Sequence, residues 1–178
     1  MGEVQGRPAA ERGSDYRLRN AVATDLPAIR DIYDYYVENT TVTFDEDGLS
    51  LDGWRDKLAN LNGLGLPFIV AEATDGTVLG YALVMPWKPK KAYRYTVENS
   101  IYLGREATGR GIGPVLLAEL LDRSTAAGLK QVIGVIAEEA EVSIRLHERF
   151  GFEEIGRMHD VGFKFGRWLG IRLLQKSL

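Results

Sequence analysis

The segment Thr108-Gly109-Arg110-Gly111-Ile112-Gly113 joins an alternating run ending at Leu103 to the apolar run Val115, Leu116, Leu117, Leu120 and Leu121. Alternation predicts a strand and apolar residues at helical spacing predict a helix, so the glycines form a strand-to-helix turn. Glycine adopts backbone angles denied to other residues and lets a ligand approach the main chain. The first amides of a helix have no partner within it, and the helix dipole adds positive potential there. Together these features make a seat for phosphate or pyrophosphate. Arg105 and Arg110 add charge suited to phosphate oxygens. A tight connection without any ligand explains the glycines about equally well. Two phosphate motifs are absent: G-x-x-x-x-G-K-S/T has no match, and G-x-G-x-x-G fails at Pro114 and Leu116.

Side chains add less on their own. Glu98 lies in the run Tyr93 to Leu103, where an ideal strand would place Arg94, Thr96, Glu98, Ser100 and Tyr102 on one face. A strand carboxylate is compatible with a salt bridge, with solvent exposure or with general-base chemistry. Lys88, Lys90, Lys91 and Arg94 form a basic cluster before it, a pattern that a solvated loop also produces. The sequence holds no cysteine, which excludes disulfides, thiolate metal sites and a cysteine nucleophile. Its two histidines, His147 and His159, give no basis for a histidine-rich metal site, so no metal is expected.

The elements that must position these groups follow from the rest of the chain. A length of 178 residues with 45% hydrophobic and 26% charged residues suits one globular domain. Residues 1–14 lack apolar periodicity and are expected to form a disordered tail, with the domain spanning 15–178. A strand is predicted around Tyr16, Leu18 and Asn20. Thr24 is the expected cap of a helix carrying Leu26, Ile29, Tyr33, Tyr36 and Val37 and running to Glu38. Ser50 is expected to cap a second helix with Leu51, Trp54, Leu58 and Leu61 on one face. A hairpin over 68–73 and 78–85 turns at Asp75-Gly76. Next come a strand over 93–103, the helix after the glycine turn, a strand over 132–136, and a short helix with Val142, Leu146 and Phe150 on one face. Strands over 152–158 and 164–174 end the chain. The order β, α, α, β, β, β, α, β, α, β, β predicts an α+β fold, a mixed sheet flanked by helices.

Twenty-two basic and 25 acidic residues give a net charge of −3. That balance gives no whole-chain attraction to nucleic acid or an anionic membrane. No apolar stretch approaches the ~20 residues of a membrane span. The first 14 residues lack a signal-peptide core, and Gly6 breaks the myristoylation pattern of the Met1-Gly2 start. A cytoplasmic protein with neither nucleic-acid nor membrane partners is expected.

Several segments together resemble the GNAT superfamily of N-acetyltransferases, close to its phosphinothricin and methionine-sulfoximine acetyltransferase branch. They are Thr40-Thr41-Val42-Thr43-Phe44, Tyr93 to Leu103, the glycine turn, Ser143 to Phe152, and Gly162-Phe163-Lys164-Phe165-Gly166-Arg167-Trp168-Leu169. The resemblance covers Tyr16 to Leu178. It implies the GNAT fold, with a mostly antiparallel central sheet, and acetyl-CoA as donor cosubstrate. Backbone groups of Ile101, Tyr102 and Leu103 would hold the pantetheine arm. The amides of Gly109, Arg110, Gly111, Ile112 and Gly113 would hold the pyrophosphate. Thr108, Ala140 and Gly170 depart from the family, where Arg or Gln, Asn, and Asp respectively are common.

The same resemblance assigns chemistry. An amine is mostly protonated near neutral pH and must lose a proton before it attacks a thioester. Glu98 stands at the carboxylate position that would take it. A bulge near residue 100 would part the strand from its neighbour and aim a backbone N–H at the developing oxyanion. His147 would donate to the leaving sulfur or relay a proton. Phe44, Lys88, Lys90 and Arg94 would bind an anionic amino-acid-like amine. A homodimer is implied by analogy. The expected activity is acetylation of a small amine by direct attack in a ternary complex; the alternatives are a protein or peptide N-terminal acetyltransferase and a non-catalytic CoA-binding sensor.

Overall fold

A computed structural model describes residues 15–178; the expected tail over 1–14 lies outside them. The strands are β1 (Tyr16–Asn20), β2 (Phe68–Ala73), β3 (Val78–Pro86), β4 (Thr96–Leu103), β5 (Gln131–Ala137), β6 (Glu153–Lys164) and β7 (Arg167–Ser177). The α-helices are α1 (Leu26–Asn39), α2 (Leu51–Gly63), α3 (Ile112–Ala126) and α4 (Glu141–Arg149). They follow the expected order. One sheet runs β1-β2-β3-β4-β5-β7-β6, and every neighbouring pair is antiparallel except β4 and β5.

Helices cover both faces, so the central strands are apolar on both sides. On β2, Ile69 and Ala71 join the cluster built by α3, with Leu116, Leu117 and Leu120. Phe68 and Val70 point the other way, into the cluster of Ile29, Tyr33, Trp54 and Leu61 from α1 and α2. Period-2 alternation thus feeds two cores from one strand. At α2, the Ser50 hydroxyl accepts from the Gly53 amide at 3.1 Å, the expected cap. Phe165 and Gly166 both have positive φ and turn β6 into β7, as a two-residue hairpin requires.

Three local expectations are corrected. Thr24 does not cap α1; it lies in a 3-10 turn over Ala23–Asp25, and the buried Asp25 precedes the helix. That carboxylate accepts from the Val22 amide at 2.8 Å and pairs with Arg19 at 2.7 Å. β4 starts at Thr96, because Lys91–Tyr93 forms a 3-10 turn with Arg94 as its helical C-cap. Tyr93 and Tyr95 alternate like strand residues yet are exposed. On α4, Val142 is 77% exposed, and Ile144 and His147 form the buried face.

Candidate active site

β4 and β5 run side by side for three residue pairs only: Thr96 with Gln131, Val97 with Val132, and Glu98 with Ile133. Past Glu98 the two strands part. The expected bulge near residue 100 is absent, since pairing of β4 with β3 is unbroken from Val97 to Leu103. The gap lies on the β5 side alone. It opens a cleft of about 220 Å³ lined by Glu98, Asn99, Ser100, Ile101 and Tyr102 of β4, by residues 134–137 of β5, and by Ser143 and His147 of α4. Val42, Thr43 and Phe44 close it from the loop after α1.

Glu98 is half-buried at the last shared rung. Burial raises its pKa, and the nearby Lys88 only partly offsets this. The result is a stronger base than a solvated glutamate. His147 is 4% exposed, with Nδ1 2.8 Å from the Ser143 carbonyl oxygen and Nε2 2.8 Å from Nδ2 of Asn99. Burial depresses its pKa despite the hydrogen bond to Ser143.

The Phe44 wall is held from two sides. The Lys164 ammonium, 2% exposed, donates to the Thr43 carbonyl at 2.9 Å. The Tyr33 hydroxyl lies 3.1 Å from the Thr43 hydroxyl and donates to Asp45. The Phe44 ring packs on Gly162, where a Cβ would lie 2.3 Å from a ring carbon. Residue 162 must therefore lack a side chain for the hairpin to close on the ring.

The structure brings Glu98, His147, Phe44, Ile101 and Tyr102 into one cleft. It does not bring Lys90 or Arg94 there. With Lys88 and Lys91 they line a separate groove of about 390 Å³ whose lining includes Val97 and Leu64. The 3-10 turn at 91–93 carries them away, and Arg94 stacks on Tyr95 at 4.5 Å. Leu103 lies beyond the cleft, and its carbonyl accepts from the Tyr36 hydroxyl at 2.8 Å.

At the far end of β4 the glycine turn presents main chain. Gly109 and Gly111 both have φ of 76°, and no atom lies within 4 Å of where either Cβ would stand. Gly111 precedes α3 with no side-chain cap, so the first amides of the helix have no side-chain acceptor there.

The Acetyltransferase (GNAT) family matches residues 29–152. The chain belongs to this family. It is 40% identical to the L-methionine sulfoximine/L-methionine sulfone acetyltransferase of Pseudomonas aeruginosa, over 90% of this chain and 94% of that protein. A crystal structure of a phosphinothricin acetyltransferase from Sinorhizobium meliloti in complex with AcCoA matches with a TM-score of 0.89 and 42% identity, over 93% of this chain and 89% of that one. A ribosomal-protein-alanine N-acetyltransferase from Brucella melitensis matches with a TM-score of 0.88 and 40% identity, over 91% of this chain and 99% of that one.

Measured against the GNAT pattern, the three departures have local explanations. The Thr108 hydroxyl donates to the Arg105 carbonyl at 2.7 Å, closing the turn before the glycines. The Ala140 amide donates to the Ala137 carbonyl, turning the chain from β5 into α4. At Gly170 a Cβ would lie 2.3 Å from Oε2 of Glu138, so a carboxylate from the turn after β5 fills that space. Sequence reasoning did not find Asn99, Lys164 or Tyr33 as site-shaping residues. Asn99 and Lys164 are the polar residues 8% and 2% exposed in strands, but that signal emerges only once burial is known.

Proposed function

We propose that this GNAT protein transfers the acetyl group of acetyl-CoA to the amine of a small amino-acid-like substrate of the methionine sulfoximine, methionine sulfone or phosphinothricin type. One observation carries the reading: the sheet opens immediately past a half-buried carboxylate, and the same strand leads to an uncapped glycine turn. The residues present fit the cosubstrate. Main-chain groups of Ile101 that β5 leaves free would hold the pantetheine arm beside Tyr102, whose own main chain pairs with Tyr81 of β3, and amides of 109–113 would hold the pyrophosphate. Acetyl-CoA supplies a thioester whose thiolate, far less basic than an alkoxide or amide anion, is a fair leaving group without much help.

The chain's own residues do the rest. Glu98 removes a proton from the incoming ammonium, and its raised pKa brings it nearer the working pH. The freed lone pair forms the new N–C bond as the C–S bond breaks and its electron pair leaves on sulfur, and the nitrogen sheds its second proton to solvent as the neutral amide forms. Backbone N–H groups of β4 past Glu98 supply donors for the carbonyl oxygen. Phe44 limits the depth of the cleft, which supports a compact substrate. Lys88, although it lines the neighbouring groove, is the one cation of the basic cluster whose charge bears on Glu98, and it would draw a substrate carboxylate toward that side of the cleft.

The Brucella relative supports a second reading, acetylation of a protein N-terminus; the small walled cleft favours the first. Thiol release from acetyl-CoA against a panel of amines separates them. Release with methionine sulfoximine or phosphinothricin is expected. Release only with Ala-initiated peptides would overturn the proposal, and CoA binding without turnover on any amine would point to a sensor. Residues 15–178 act in this reading as one unit, in the cytoplasm and as a homodimer. Exposed apolar side chains on the β6–β7 hairpin, Phe163 and Trp168 at 5.2 Å, support the dimer. Light scattering tests it.

A further inference from the structure

Asn99 and His147 meet at the head of the cleft, where β4 leaves β5. Asn99 is 8% exposed and follows Glu98 directly. The groups around the imidazole are Asn99 from β4, the bare Gly134 from β5, the Phe152 ring in edge contact at 4.8 Å, and Ser143 on its own helix. None of them is charged. A carbonyl oxygen can only accept, so Nδ1 of His147 carries a hydrogen toward Ser143. A buried imidazole without a counter-charge is neutral, which leaves a lone pair on Nε2. Asn99 must then turn its amide nitrogen, a donor, toward Nε2. This leaves Oδ1 of Asn99 buried without a hydrogen-bond partner. A fold retains such a group at a cost, which argues that the other end of the carboxamide is required.

We propose that Asn99 is a positioning residue acting through His147: its carboxamide fixes the imidazole in the Nδ1–H form with the Nε2 lone pair occupied, so that His147 is a fixed polar wall beside the reaction and not the proton donor to the departing sulfur. The inference rests on the acetyl-transfer reading and refines it. The thiolate then takes its proton from solvent, which its modest basicity permits. Which nitrogen of a histidine is protonated is set by the hydrogen bond at the other one, and here both bonds agree on a single tautomer.

The test does not depend on turnover. His159→Gln leaves one histidine in the full chain, so a long-range proton–nitrogen NMR correlation reads His147 alone. A neutral Nδ1–H imidazole from pH 7 to 8 is expected; an Nε2–H tautomer or an imidazolium in that range overturns the proposal. Two variants then probe the consequence. Asn99→Asp replaces the donor by an acceptor and is expected to draw a proton onto Nε2, adding a titrating group to the kcat profile. His147→Gln can still accept from Asn99 but cannot titrate, and any alkaline limb that the wild-type kcat profile shows is expected to be kept. Loss of that limb would make His147 the acid, and an Asn99→Asp enzyme with wild-type kcat, pH profile and His147 spectrum would remove Asn99 from any role. If no amine is acetylated at all, the functional reading fails while the NMR result still stands.

Discussion

Replacing Glu98 by Gln should separate catalysis from stability, because the structure gives the two effects opposite signs. Burial raises the Glu98 pKa and Lys88 only partly offsets it, and no hydrogen bond contributes to the shift. The side chain therefore gives up little contact on substitution. A carboxyl group with a raised pKa binds its proton more tightly when folded. Stability thus falls as pH rises from the unfolded pKa through the folded one, and the whole penalty stands above it. Neutral, near-isosteric Gln escapes that penalty, so Glu98→Gln should melt at or above the wild-type temperature at pH 8. Activity should move the other way. Loss of a general base lowers kcat/KM by about 10²–10⁴, equal to about 2.7–5.4 kcal/mol of barrier at about 1.36 kcal/mol per decade. Thiol release followed from pH 5.5 to 9, beside thermal melts, reads both. Wild-type kcat/KM should drop on the acid side as Glu98 gains its proton, and the variant should lack that limb. Retained activity, or a surviving acid limb, would refute the assignment, and a lowered melting temperature at pH 8 would make Glu98 structural.

Three further outcomes follow from other parts of the molecule. Gly111→Val forces a β-branched residue to a φ of 76° in otherwise open space; it should cost about 1–2 kcal/mol of stability and weaken acetyl-CoA binding in calorimetry, and unchanged affinity would move the pyrophosphate seat elsewhere. Lys164→Met leaves the Thr43 carbonyl without its buried donor; a loss of about 1–3 kcal/mol is expected in denaturant melts, with KM rising for the amine more than for acetyl-CoA, and equal KM changes would contradict the Phe44 wall. At acid pH, hydrogen bonds from Arg19 and Arg17 hold the Glu72 pKa at about 2, while Arg19 and the Val22 amide outweigh burial and hold Asp25 below its ordinary value. Both carboxylates add stability that is present above their unfolded pKa and lost as pH falls, for Glu72 from 4.5 toward about 2. Arg19→Met should flatten that acid loss in urea melts between pH 2 and 6, and an unchanged slope would exclude the cluster as its source.

The order of elements was legible because local chemistry marks each boundary. Ser50 caps α2, Asp75-Gly76 turns the first hairpin, and Gly128 and Gly151 stop α3 and α4 at positive φ. The start of β4 was not legible, since the alternating aromatics Tyr93 and Tyr95 imitate a strand while the chain is still turning. The buried face of α4 was misread because Val142 is apolar yet faces solvent, while the histidine faces inward. Within the site, Glu98 and the glycine turn have local signatures. The couplings that shape it span long separations: 48 residues from Asn99 to His147, and 121 from Thr43 to Lys164. No window of sequence contains both partners, and only the tertiary arrangement selects them.

The three rungs between β4 and β5 also have a mechanical meaning. β1–β4 and β5–β7 are two panels of one sheet, fastened along one end of their common margin. The core packed beneath, from Ile69 and Leu116 to Ile136 and Leu174, rivets both panels from one side only. A molecule that hydrogen-bonds to both margins therefore acts as a splint across the seam. Its occupancy stiffens the panels against each other and slows amide exchange along residues 99–103 and 134–137, with stabilisation growing as the logarithm of its concentration. In the proposed reading acetyl-CoA is such a molecule, and resistance to unfolding would then track the supply of the donor.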